Sequence, residues 1–198
     1  MIIWINGAFG SGKTTTAFEL HRRLENSFVY DPENVGYFIR RNSPPMFSEG
    51  DFQDFPLWRE MSLQMLRLII SRYDGTLIVP MTLVNPDYYA EIVTTLQSEG
   101  VELHHFILSV TKKNLLKRLR SRNITGKGRD SFAIRSIDRC LYAFRHHIKE
   151  TKVAADSITV DEIVEEIAAA CGLKLKPDHR SPLKRKADRM ITLLRHIH

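Results

Sequence analysis

Cysteine is scarce in this chain: Cys140 and Cys171 are the only two in 198 residues. That excludes a disulfide framework and a cysteine-based zinc site, and it suits a reducing compartment. The eight histidines include no HExxH spacing, and the neighbours in His104-His105 and in His146-His147 do not share a helix face. Metal ligation by histidine is therefore not expected. No apolar run approaches the ~20 residues of a membrane span; the longest, such as TLIVPMTLV, are strand-sized. The opening MIIWING lacks the basic start and long apolar core of a signal peptide and reads as a buried strand. A cytoplasmic protein is expected, in contact with a membrane at most along its surface.

Net charge is missing from most of the chain too. Residues 1–173 carry 21 Lys+Arg and 21 Asp+Glu, so the formal excess of +6 sits entirely in residues 174–198. A neutral body without a basic groove argues against nucleic acid as a partner. What is present is ordinary for one soluble domain with a real core: 43% hydrophobic and 26% charged residues.

Apolar runs near 2–6, 27–31, 76–82, 102–109 and 152–156 alternate with helical patterns over 13–25, 55–73, 86–99, 111–122, 131–147 and 160–171. Asn85-Pro86 places a cap before a proline at the first helical position, and Thr159 with Glu162 forms a capping box. Continuous apolar strands between helices predict an α/β fold: three layers, with a mostly parallel five-stranded sheet covered on both faces. Ligands of such sheets bind at the carboxyl ends of strands. That nominates residues 6–14, Asp31, residues 81–84 and the segment after Ser109.

Between the first strand and first helix stands Gly7-Ala8-Phe9-Gly10-Ser11-Gly12-Lys13-Thr14, a full GxxxxGK[ST]. Glycines let the backbone curl so that successive amides point at phosphate oxygens, and the helix start adds its positive end. Lys13 is expected on the β- and γ-phosphates of ATP, and the Thr14 hydroxyl on Mg²⁺. Average glycine usage makes a chance match in a chain of this length an event of about one per cent.

A carboxylate is absent where it would be useful. TLIVPMTLV and HHFILS end without Asp or Glu, which leaves Asp31, closing SFVYD, to hold Mg²⁺ or accept a proton from an acceptor hydroxyl. As Asp-Pro it also serves as a turn former. Glu33 is a weaker candidate, and Thr82 can orient a water. The stretch LLKRLRSRNITGKGRDSFAIRSIDR reads as helix, mobile basic loop, helix, the pattern of a lid at about 122–131. Arg118 and Arg122 share a helix face there and are expected on the triphosphate, with Arg139 on the substrate. Residues 31–66 supply the acceptor side. Arg40, Phe55, Trp58 and Arg59 are its expected substrate contacts, since rings with a few polar groups suit a nucleoside-like ligand.

Taken together, MIIWINGAFGSGKT, TAFELHRRL, VYDPENVG, PLWR, LIVPMT, HHFIL, LLKRLRSR, IDRC and RSPLKRKADRM resemble the nucleotide- and shikimate-kinase-like P-loop proteins. Among these the chain looks most like the bacterial tunicamycin resistance family. The resemblance implies a domain over 1–173, ATP on Gly7 to Thr14, and a nucleoside-like, acyl-bearing ligand such as tunicamycin in the aromatic region. It leaves three activities open: phosphate transfer from ATP, ATP-gated drug binding without a covalent product, and a nucleoside or nucleotide kinase. It also implies membrane association. In the tail, 174–198, Leu183, Ala187, Met190, Ile191, Leu194 and Ile197 make an apolar helical stripe beside basic residues. Such a helix either lies on an anionic membrane or packs its stripe on the domain.

Overall fold

The computed structural model describes residues 1–45, 50–122 and 130–196. Five strands form one sheet: β1 (Ile2–Asn6), β2 (Ser27–Val29), β3 (Thr76–Pro80), β4 (Leu103–Leu108) and β5 (Thr151–Val153). Their order is β2-β3-β1-β4-β5, and every neighbouring pair is parallel. Parallel neighbours need crossovers rather than hairpins. Helices supply them: α1 (Lys13–Arg23), α2 (Glu33–Arg41), α3 (Pro56–Arg72), α4 (Pro86–Tyr89), α5 (Thr95–Ser98), α6 (Lys112–Arg122) and α7 (Asp130–His146); α8 (Val160–Ala170) and α9 (Pro182–His196) follow the last strand.

β1 and β3 are buried along their whole length, as expected of central strands with helices on both faces. Alternate side chains feed two separate cores. Ile3, Ile5 and Ile78 join Leu20, Leu115, Ile137 and Val164 on one face. Ile2, Trp4, Leu77 and Val79 join Trp58, Leu66 and Ile92 on the other. The carboxyl ends of β1, β3 and β4 therefore arrive together at one rim of the sheet, with the phosphate-loop sequence directly after β1.

Several local expectations shift. β2 stops at Val29 instead of residue 31, because Asp31 and Pro32 turn the chain into α2. That helix was not expected; its core holds Gly36, a poor helix former. A Cβ on Gly36 would stand 2.5 Å from the Phe52 ring, so the glycine exists for a ring laid against the helix. Between α4 and α5 the chain forms a π-helical turn, Ala90–Thr94, which apolar periodicity does not reveal. Asn85 and Thr159 cap their helices as expected, Thr159 in a complete capping box.

The tail departs most from the commoner outcome for a terminal helix. The described part of the α9 stripe faces outward, with Leu183 82% exposed and Met190 and Ile191 about half exposed. Its charged side faces the domain. Arg180, just before the helix, and Arg189 both pair with Glu19 of α1, and Arg185 and Arg189 pair with Asp161 of α8.

Candidate functional site

Asn6 ends β1 and fixes the loop that follows. Its side-chain oxygen accepts from the Gly7 amide at 2.8 Å and the Leu83 amide at 3.0 Å, while its Nδ2 donates to the Leu83 carbonyl at 2.7 Å. One buried amide thus ties the loop to the chain beyond β3. Thr82 repeats the tie, its hydroxyl donating to the Gly7 carbonyl at 2.9 Å. That spends Thr82 on the loop, and the rim segment 81–84 brings no carboxylate to the site.

Gly10 and Gly12 take φ of 83° and 106°, a left-handed range that side chains seldom adopt. Gly7 is needed for space as well: a Cβ there would meet the Ser11 hydroxyl at 2.6 Å and the Leu108 carbonyl at 3.2 Å. α1 begins with no side-chain cap and no acid in its first turn, so its positive end is left for an anion. Lys13 arches back over the loop and donates to the Gly7 and Ala8 carbonyls at 3.0 and 3.3 Å. The Ser11 hydroxyl, buried in the loop, has no hydrogen-bond partner among the described residues. Curled amides, an uncapped helix start and an ammonium at the mouth fit a polyphosphate. Thr14 stands partly exposed in the first turn of α1, as an oxygen donor to a hard cation should.

Asp31 follows β2 in a turn that its own carboxylate caps, accepting from the Glu33 amide at 3.0 Å. Burial pushes its pKa up to about 7, the negative charge of Glu33 adds to the rise, and Lys13 opposes it. Lys13 is thus near enough to act on the Asp31 charge. The Glu33 carboxylate accepts from the Tyr37 hydroxyl at 3.2 Å.

Two of the expected arginines make contacts that the structure describes. Arg118 on α6 donates to the Ser11 carbonyl of the phosphate loop at 3.1 Å and to the Ala155 carbonyl at 2.9 Å. Arg139 on α7 pairs with Asp51 at 2.9 Å. α7 also rests on the loop through Phe132, edge to face with Phe9 at 5.7 Å. The Arg122 side chain and most of the segment at about 122–131 lie outside the described residues.

On the acceptor side, one expectation is corrected. Trp58 is fully buried, and its indole donates to the Pro32 carbonyl at 3.0 Å. It supports the Asp31 turn from beneath instead of presenting a ring to a ligand. Phe55 is half-buried at the start of α3. Arg40 lies 5.2 Å over the Phe52 ring and donates to the Gly50 carbonyl at 2.7 Å. Arg59 pairs with Glu91 at 2.6 Å, donates to the Gln53 carbonyl, and covers the Tyr88 ring. Tyr37 meets Phe52 edge to face and Phe52 meets Trp58 at a tilt, a run of ring contacts between α2 and α3.

Sequence reasoning missed Asp51 and Gln53. The Asp51 side chain is only 9% exposed and accepts from the Gln53 amide as well as from Arg139. Gln53 donates to the Thr82 carbonyl at 3.1 Å. A continuous path results: Arg139, Asp51, Gln53, Thr82, the Gly7 carbonyl and Lys13.

With this geometry in place, comparison with known proteins is informative. Residues 2–147 match the family model described as an AAA domain. The structure of the Deinococcus radiodurans tunicamycin resistance protein superposes with a TM-score of 0.73 at 32% identity, over 89% of this chain and 99% of that one. A Sinorhizobium meliloti gluconokinase, at 0.59 and 18% identity, covers 86% of this chain and 90% of its own. A deoxyadenosine kinase from M. mycoides, at 0.54 and 16%, covers 87% of this chain and 99% of its own. The two kinases show the shared fold alone. No curated protein sequence matches the chain. The chain belongs to the AAA-domain family of P-loop, kinase-like proteins, together with the tunicamycin resistance protein of Deinococcus radiodurans.

Proposed function

We propose that this protein is an ATP- and Mg²⁺-dependent phosphotransferase that modifies a hydroxyl of a nucleoside-type antibiotic of the tunicamycin kind. The observation that carries the reading is the convergence of Lys13 on the phosphate loop with the Asp31 carboxylate at the end of β2. ATP·Mg²⁺ would supply the phosphoryl group, held by the loop amides of Gly7 to Thr14, with Thr14 and Asp31 as the oxygen donors to the metal. Lys13 and Arg118 offset charge on the phosphate oxygens. In a first turn with Asp31 ionised, its carboxylate can instead take the proton of the acceptor hydroxyl. The acceptor oxygen then bonds the γ-phosphorus as the bond to the β-phosphate oxygen breaks, and ADP leaves. Arg40, Phe55, Arg59 and Arg139 frame the acceptor.

Mass spectrometry of tunicamycin incubated with protein and ATP tests this: the drug should gain one phosphate. Unchanged drug with measurable binding supports the second reading, ATP-gated sequestration. The observation favouring that alternative is the rim segment after β3, where Met81 to Val84 offer no carboxylate and the Thr82 hydroxyl is already spent on the Gly7 carbonyl. Under either reading Lys13→Ala should abolish resistance in cells; resistance that persists means the loop is incidental.

The outward stripe of α9 supports contact with an anionic membrane surface. Leu183, Met190 and Ile191 are exposed between Lys184 and Lys186, the arrangement of a helix lying in an interface. Flotation with phosphatidylglycerol vesicles tests it, and binding unchanged by Leu183→Asp with Ile191→Asp counts against it. Among the described residues no helix is long and apolar enough to cross a membrane.

A further inference from the structure

The end of α1, the segment 176–181 and the start of α9 enclose a cavity of about 430 Å³. That lies within the size range of small-molecule sites. Its charged lining is basic: Arg22, Arg23, Lys176, Arg180 and Lys184 stand with His179, and Asp178 is the one carboxylate. The walls are fixed. The Lys176 amide donates to the Arg23 carbonyl at 2.7 Å, and Arg23 Nε donates back to the Lys176 carbonyl at 3.1 Å. Asp178 accepts from the amide and the Nε of Arg180 at 3.0 and 2.8 Å, which pins the turn before α9.

The cations fall into two sets. Arg180 is engaged by Glu19, Asp178 and Asp188, and Arg23 by Glu165. The side chains of Lys176, His179 and Lys184 make no hydrogen bond or ion pair among the described residues. Arg22 has a single 3.7 Å contact with Glu19, whose two oxygens Arg180 and Arg189 already hold. Asp188, on which Arg22 and Lys184 also act, is bound by Arg180. With Arg185 and Arg189 included, seven cations meet five carboxylates: Glu19, Asp161, Glu165, Asp178 and Asp188. Two positive charges are left over. α9 adds its positive end, since no acid stands in its first turn.

A concave surface of one sign concentrates the opposite charge, and a phosphate monoester brings close to two negative charges at neutral pH. The phosphate loop is a different place. It opens α1 at Lys13, whereas Arg22 and Arg23 end that helix, about 15 Å further along at 1.5 Å per residue. We propose that the cavity is a second anion site, which takes one phosphate monoester carried by a soluble small molecule or by a lipid headgroup. Arg22, Lys176 and Lys184 bind the phosphate, and Arg180 holds the wall in place. The inference is independent of the phosphotransferase reading above.

The test is calorimetry on the full chain without ATP, with glycerol 3-phosphate as the soluble probe. Lys13→Ala disables the phosphate loop, and this variant should still bind the probe with a Kd of about 1 mM or tighter. Adding Lys176→Ala and Lys184→Ala should weaken that binding about tenfold, the loss of two charge contacts at a wet surface. Adding Lys174→Ala instead removes one charge from the same segment outside the cavity and should change nothing. Should Lys13→Ala fail to fold, stoichiometry decides: two equivalents bound by wild type and one by K176A/K184A. Flotation then separates the carriers. Phosphatidylcholine vesicles containing phosphatidic acid present the monoester, and those containing phosphatidylglycerol at matched charge do not. A preference for phosphatidic acid that K176A/K184A removes supports the site with a headgroup as carrier. Binding of glycerol 3-phosphate without that preference supports it with a soluble carrier. If neither probe binds in a way that depends on Lys176 and Lys184, or if Lys174→Ala costs as much as the pair, the inference is overturned.

Discussion

Two arginine-rich segments of this molecule use the same side chain in opposite ways. In the tail, Arg180 and Arg189 bind carboxylates: Arg180 holds Glu19, Asp178 and Asp188, and Arg189 holds Glu19 and Asp161. Hydrogen bonds from Arg180 hold the Asp178 carboxyl well below the usual carboxylate range. On α6, Arg118 binds two main-chain carbonyls. A carboxylate cancels the guanidinium charge; a carbonyl dipole orients it and leaves the charge intact. The tail arginines are therefore scaffold, and Arg118 is a positioned cation that a polyphosphate can claim. The net charge of the chain misleads on this point, because the whole excess of +6 arises in residues 174–198, where Arg180, Arg185 and Arg189 are already paired.

The sharpest break is expected in the tail. Glu19 is 1% exposed and sits on α1, the helix that carries the phosphate loop. Removing one partner of a buried ion pair strands the other charge, at about 3–5 kcal/mol. Arg180→Ala should lower stability toward that range in urea denaturation. Arg189 remains on Glu19, which favours the lower end, and ATP affinity measured on the folded fraction should stay unchanged. A variant as stable as wild type, or one that weakens ATP binding, would break the contrast.

Arg118→Ala should do the reverse. Loss of a charged contact to phosphate costs about 1.5–3 kcal/mol, roughly tenfold to a hundredfold in ATP affinity. Calorimetry with ATP and magnesium reads this directly. Stability should fall by only about 1 kcal/mol, for two hydrogen bonds to carbonyls that water can replace.

The same opposition shows in two buried titratable groups. The pKa of Asp31 is raised to about 7, chiefly by burial, and that of His105 within β4 is pushed down to about 3 by burial. A raised carboxyl pKa means the folded chain keeps a proton that the unfolded chain loses, so this contribution falls as pH rises from about 3.8 to 7. The lowered histidine has the opposite sign: its contribution falls as pH drops from about 6.5 to 3. Between about pH 4 and 6.5 the two slopes cancel. Asp31→Asn should unmask the histidine, and stability should then climb with pH at up to about 1.4 kcal/mol per pH unit. Transfer activity of the wild type should rise with pH toward about 7 as Asp31 ionises; a flat profile removes Asp31 as the base.

These contrasts also mark what sequence could reveal. The phosphate loop, β1 and the helix caps at Asn85 and Thr159 rest on neighbours in the chain, so short motifs declare them. Asp31 was legible because it closes an apolar run ahead of a proline. Asp51 was not: its partner Arg139 lies 88 residues away, and Gln53 finds Thr82 at a separation of 29. Nothing local distinguishes such residues from polar loop residues. Trp58 read as a pocket ring because an aromatic near charges suits a ligand as well as it suits a core. α9 was legible as a helix, but not its orientation. Which side faces inward was decided by Glu19 and Asp161, carboxylates on two other helices. An apolar stripe ordinarily wins that competition; here the ion pairs hold the charged side down.

The smallest effect sharpens the comparison most cleanly, because it separates pairing from burial. Lys112 and Asp138 join α6 to α7 at 2.7 Å, as close as any pair in the tail should be, yet their side chains are 53% and 72% exposed. Water solvates both charges nearly as well apart as together, and side-chain entropy offsets much of what remains. Lys112→Ala should therefore cost no more than about 1 kcal/mol in urea denaturation, and less in high salt. A loss comparable to that of Arg180→Ala would mean that contact with a carboxylate is itself what matters. The distinction would then lie in the number of ion pairs, and the buried position of Glu19 beneath α9 would cease to explain why the tail stays docked.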